Sequence, residues 1–156
     1  MYSTTASTVV PAAPATVYQA LLDPDAVAIW RVPDGMRGTV HELDARVGGR
    51  IRMSLTYDDP EAVGKTAGAT DTYAGTFIEL VEGERVVEEV AFELGDSVDP
   101  ALAGTITMTT TLREVAGGTE VELRMDGMPD AVPPADNEAG TRMALDKLAQ
   151  LVGLVG

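Results

Sequence analysis

Ile106-Thr107-Met108-Thr109-Thr110-Thr111-Leu112, followed after Gly117-Gly118 by Glu120-Val121-Glu122-Leu123-Arg124-Met125, repeats with a period of two residues. An extended chain sends alternate side chains to opposite faces, so Ile106, Met108, Thr110 and Leu112 share one face and the intervening threonines the other. Val121, Leu123 and Met125 do the same against Glu120, Glu122 and Arg124. Gly117-Gly118 supplies the positive backbone angles that a tight hairpin requires. Two half-buried antiparallel strands joined by a turn follow, and they set the pattern for the rest of the chain.

Working toward the N-terminus, Ile51, Met53, Leu55 and Tyr57 alternate with Arg50, Arg52, Ser54 and Thr56. Further strands are expected near Thr39 to Leu43, Tyr73 to Val81 and Arg85 to Phe92, the last two joined by Glu82-Gly83-Glu84. Thr5 to Val10 is β-prone and is closed by Pro11 and Pro14. Val17, Ala20 and Leu21 then lie three and four residues apart, which predicts a short helix stopped by Asp23-Pro24. A second helical turn is predicted from Pro24 to Trp30, with proline at its first position. Asp58 to Asp71 and Gly95 to Gly104 read as loops. Beyond Pro133-Pro134 helical spacing returns, with Thr141, Ala144, Leu145, Leu148, Leu151 and Val152 in one stripe. Connections this short force antiparallel pairing, and only the C-terminal helix offers a long apolar face to cover the sheet. The expected fold is α+β: a curved antiparallel sheet of about six or seven strands wrapped around a long C-terminal helix, in one domain spanning residues 1–156.

Composition narrows the partners. The chain carries 25 acidic and 11 basic side chains, a net charge of −14, which repels phosphate backbones and anionic lipid surfaces. Neither nucleic acid nor membrane is expected as a partner. Cysteine is absent, excluding a disulfide framework, a thiol nucleophile and a thiolate metal site. The first ten residues lack the basic start and apolar run of a signal peptide, so a cytoplasmic location is expected.

Val17-Tyr18-Gln19-Ala20-Leu21-Leu22-Asp23-Pro24 leading to Trp30, Asp44-Ala45-Arg46-Val47-Gly48-Gly49-Arg50 and Tyr73-Ala74-Gly75-Thr76-Phe77-Ile78-Glu79-Leu80 occur in this order along the chain. Gly117-Gly118-Thr119-Glu120-Val121 and Ala144-Leu145-Asp146-Lys147-Leu148 complete the set. Together they resemble the START/Bet v-like helix-grip (SRPBCC) superfamily, and within it homologues of the heat-shock protein 90 ATPase activator domain. Where that family commonly carries an aromatic residue just before its terminal leucine-rich run, this chain has Gly140-Thr141. The resemblance implies a cavity between sheet and C-terminal helix and carries over no catalytic residue.

Chemical motifs are sparse. Gly64-Lys65-Thr66 looks like the end of a phosphate-binding loop, but Asp59 occupies the position of its first glycine and the flanking acids repel phosphate. His41 is the single histidine, so no clustered-histidine metal site can form within one chain, and none of the four serines lies in a nucleophile elbow. His41 therefore reads as a strand residue, partly exposed or hydrogen-bonded. Glu42, Asp44, Glu88 and Glu89 read as solvated strand carboxylates. Neither catalytic residues nor a metal or other cofactor is expected.

Methionine is the more suggestive feature. Met53, Met108 and Met125 fall on the apolar phases of their strands, where flexible thioethers suit an adaptable pocket and fill a core equally well. The expected cavity walls are Trp30, Met53, Leu55, Tyr73, Phe92, Met108 and Met125, with Leu145 and Leu148 from the helix. A protein of this kind, monomer or homodimer, is expected to bind a small apolar molecule without catalysis. The alternatives are a chaperone-interacting module whose acidic shell steers a basic partner, and a cyclase- or hydrolase-like enzyme using His41, Tyr73 or Glu88 in the cavity.

Overall fold

The computed structural model describes residues 1–59, 61–62, 69–93 and 104–153, so Gly64-Lys65-Thr66 and nearly all of the second expected loop lie outside the described residues. The element order is β1 (Tyr2–Val10), α1 (Pro14–Leu22), α2 (Pro24–Trp30), β2 (Met36–Leu43), β3 (Arg50–Tyr57), β4 (Thr70–Val81), β5 (Arg85–Phe92), β6 (Ile106–Val115), β7 (Gly118–Met128) and α3 (Pro134–Gly153). The strands form one seven-stranded antiparallel sheet in the order β1-β7-β6-β5-β4-β3-β2. Strands β2 to β7 therefore meander, and β1 returns beside β7, leaving β1 and β2 at the edges. This is the α+β architecture expected from the alternation and the helix grip that the resemblance implies, with most strands extending a few residues beyond the predicted limits.

Local chemistry fixes the two short helices. Asp23 lies in extended backbone at the end of α1, and its carboxylate accepts from the Ala26 backbone N–H at the start of α2, with Pro24 following as the first helical residue. One residue thus ends one helix and caps the next. Trp30 Nε1 donates to the Ala20 carbonyl at 3.0 Å and ties the pair together.

The sheet bends because its backbones approach closely and its register slips. A Cβ on Gly75 of β4 would fall 1.8 Å from the Glu89 carbonyl oxygen of β5, a separation only glycine permits. Register also shifts at His41 in β2 and at Ile78 in β4, adding bulges that increase local twist. Helix α3 lies against β1 and both short helices. Its Leu145, Leu148 and Val152 are buried with Val10, Val17, Val27 and Val121, each contributing roughly 1.5–3 kcal/mol by leaving water. That cluster fills only part of the interface between α3 and the sheet. Among the described residues no helix is long and apolar enough to cross a membrane.

Candidate binding cavity

The remainder of the interface is a cavity of about 520 Å³, within the range of small-molecule sites. Its floor comes from the inward faces of β3 to β7 and its roof from Asn137, Gly140, Thr141 and Ala144, which recur on one face of α3. Residues Ala131 to Pro133 close one side, and Trp30 with the segment after α2 closes another. Five methionines line it: Met36, Met108, Met125, Met128 and Met143. A Cβ on Gly140 would meet nothing within 4 Å, so the space beneath this part of the helix is open.

Of the nine expected wall residues, Trp30, Leu55, Tyr73, Phe92, Met108 and Met125 line the cavity. Met53, Leu145 and Leu148 do not. Met53 is fully buried near Val32 under α2 and receives the Tyr73 hydroxyl on its sulfur at 3.1 Å. Leu145 and Leu148 belong to the filled half of the interface, where α3 is seated on β1 and the short helices. The helical period gives the face of α3 that turns inward; it does not give the point along the helix where packing stops.

The polar wall was not apparent from composition. Arg31, the residue after Trp30, lines the cavity with its side chain only 5% exposed, and its Nη1 stands 2.9 Å from Oε1 of Glu88, also 5% exposed. Charge is the larger part of what holds the two together, and Oε1 accepts no well-directed hydrogen bond among the described residues. Glu88 is therefore not the solvated carboxylate expected. It shares the inward phase of β5 with Val86 and Val90, and an acid in that phase signals a buried cation opposite it. Asp71, expected at the end of a loop, lies instead in β4, where it is buried on the phase that carries Tyr73 and Phe77 and lines the cavity.

The Arg31 guanidinium lies 5.7 Å from the Trp30 ring centroid and 5.4 Å from that of Tyr73, both within cation–π range. Its Nη2 donates to Met108 Sδ at 3.4 Å. Burial acts to lower the Arg31 pKa, but Glu88 and Tyr73 outweigh it and hold it above the ordinary arginine value. Burial likewise raises the Tyr73 phenol, with Glu88 adding to the effect and Arg31 partly opposing it. The wall thus presents a permanent cation and a neutral hydroxyl.

Of the three residues considered for catalysis, Glu88 and Tyr73 meet around Arg31 and His41 lies apart from them. His41 lies at the bulge of edge strand β2, and its Nε2 sits 2.8 Å from Ser54 Oγ, on the face of β3 opposite Leu55. Ser54 Oγ is in turn 2.7 Å from Thr72 Oγ1. Glu88 is engaged with Arg31, and only Tyr73 reaches the cavity wall.

The molecule's likeness to known proteins agrees with the fold. Protein CV1439 from Chromobacterium violaceum has a crystal structure that aligns with a TM-score of 0.84 at 34% identity, covering 96% of this chain and 96% of that one. The solution structure of an AHSA1-like protein from Aeromonas hydrophila aligns at 0.74 and 20% identity over 99% of this chain and 94% of its own. A third, protein Ms6760 from Mycobacterium smegmatis, aligns at 0.76 and 19% identity over 96% and 89% of the two chains. A comparison with curated proteins gives no match. Residues 11–153 match the family described as Activator of Hsp90 ATPase homolog 1-like protein, and the chain belongs to that family.

Proposed function

We propose that this chain is a binding protein that takes a small, mainly apolar molecule into the cavity between its sheet and the N-terminal half of α3. The observation that supports this reading is the contrast within one interface: Leu145 and Leu148 are fully packed while Gly140 faces open volume. A domain selected only for stability closes such a gap, because unfilled apolar volume forfeits packing energy. Burial of ligand carbon, at about 25 cal/mol per Å², supplies the affinity, and methionine side chains adapt to its shape. The family description refers to a chaperone ATPase activator, and for this chain that relation rests on family membership and acidic charge.

Gly140→Phe tests the proposal by filling the cavity from the helix side. The neutral fluorescent probe phenylnaphthylamine is expected to bind the wild type and to lose at least tenfold in affinity for the variant, with unchanged circular dichroism. Equal binding by a folded Gly140→Phe protein would remove the cavity as the site.

A further inference from the structure

Arg31 brings five N–H donors to the cavity wall, and the oxygens of Glu88 and Tyr73 that it meets take up only part of them. Glu88 balances its charge at Nη1, but Nη2 ends on the sulfur of Met108. The Tyr73 hydroxyl, on the same wall, also ends on a thioether, that of Met53. Thioether sulfur is a weak acceptor, so two strong donors at one end of an apolar cavity are left underused. An oxygen atom arriving there gains a charge-assisted hydrogen bond that the empty protein makes only in weak form.

Charge decides which kind of oxygen. The guanidinium is already compensated by Glu88, Asp136 lines the same cavity, and the chain carries a net −14. A ligand carboxylate would enter as one negative charge too many for a single buried cation. A ketone, aldehyde, ester or amide carbonyl takes the same hydrogen bond without that repulsion.

We infer that the cavity selects apolar molecules carrying a neutral carbonyl oxygen, which displaces the Met108 sulfur from Arg31 Nη2 while the rest of the molecule lies among the methionines. This rests on the cavity being a binding site, as proposed above. It adds a polar requirement that a purely apolar pocket would lack.

The test is competition against phenylnaphthylamine by three naphthalenes of similar size, carrying an ethyl, an acetyl or a carboxylate group. The acetyl compound is expected to bind the wild type about tenfold more tightly than the ethyl compound, with the carboxylate weaker than the acetyl. In the double variant Arg31→Met/Glu88→Leu, which removes both charges together, the acetyl advantage should vanish. Equal affinity for the ethyl and acetyl compounds in the wild type overturns the inference and leaves the cavity reading standing; so does an acetyl preference that survives in the double variant. Tightest binding by the carboxylate overturns the neutral assignment. Failure of all three compounds to compete overturns the cavity reading and this inference with it. The wild-type series decides the matter by itself if the double variant does not fold.

Discussion

Removing the Glu88 carboxylate alone, as Glu88→Leu, is expected to cost about 3–5 kcal/mol of stability, whereas Arg31→Met/Glu88→Leu should stay within about 1 kcal/mol of wild type or exceed it. At 2.9 Å and an effective dielectric of about 20, the pair attracts by about 6 kcal/mol. With each side chain 5% exposed, loss of hydration costs several kcal/mol per ion and offsets most of that attraction. The intact pair is therefore nearly neutral in sum, and its halves are not. With Glu88 gone, Arg31 keeps its desolvation cost without the attraction, and a guanidinium cannot shed its proton to escape. Met108 and the two aromatic faces remain as weak compensation. For a chain of this length the single variant should melt about 6–20 °C lower. Urea unfolding followed by circular dichroism, with thermal melts on the same three proteins, measures both quantities. A Glu88→Leu cost below about 1 kcal/mol, or a double variant worse than Glu88→Leu, would refute the picture of a buried, mutually dependent pair.

Three further outcomes are expected. Tyr73 has a raised pKa in the folded state, so its contribution is fully present below the unfolded value of 10.0 and declines as pH rises above it toward the folded value. The phenolate absorbance missing from Tyr73→Phe relative to wild type should therefore appear above the ordinary tyrosine range or together with unfolding, and its appearance near pH 10 in a native fold would contradict the burial of the hydroxyl. Lys147 Nζ donates to the Val32 carbonyl and lies 3.2 Å from the largely exposed Asp34 carboxylate, so in urea titrations Lys147→Met should cost about 1 kcal/mol and Asp34→Asn less than about 0.5 kcal/mol. Gly140→Ala should raise stability by about 0.5–1 kcal/mol, since the added methyl meets nothing and the unfolded chain loses freedom; a lower melting temperature would show that the space beneath α3 is already occupied.

The strands and helices were legible because each rests on a local period. Ile51, Met53, Leu55 and Tyr57 alternate whatever lies beyond them, and Asp23-Pro24 ends one helix and starts another within a few bonds. Of the six expected wall residues that line the cavity, the five on strands do so for the same reason, since strand phase decides which face they share, whereas Trp30 comes from the end of α2. The position of the void is a different matter, because it depends on how far α3 sinks against β1, α1 and α2, which the period of one helix does not specify. That is why Leu145 and Leu148 lie beyond the cavity although they share its face of the helix. Glu88 was misread for another reason: composition assigns acids to the surface, while its place between Val86 and Val90 assigns it to the interior. Taking strand phase before residue type would have exposed the need for a buried cation, although only the folded chain shows that Arg31, far away in sequence, supplies it.

Helix α3 answers to two unequal obligations along its length. Leu145, Leu148 and Val152 anchor it, whereas Asp136, Ala139, Gly140 and Met143 border the cavity with side chains that are exposed or absent. Change in the first group is penalised by loss of the fold; change in the second leaves that packing in place and reshapes the space beneath the helix. The space beneath α3 can therefore be reshaped by editing about two turns of helix, without renegotiating the anchor that holds α3 to the sheet.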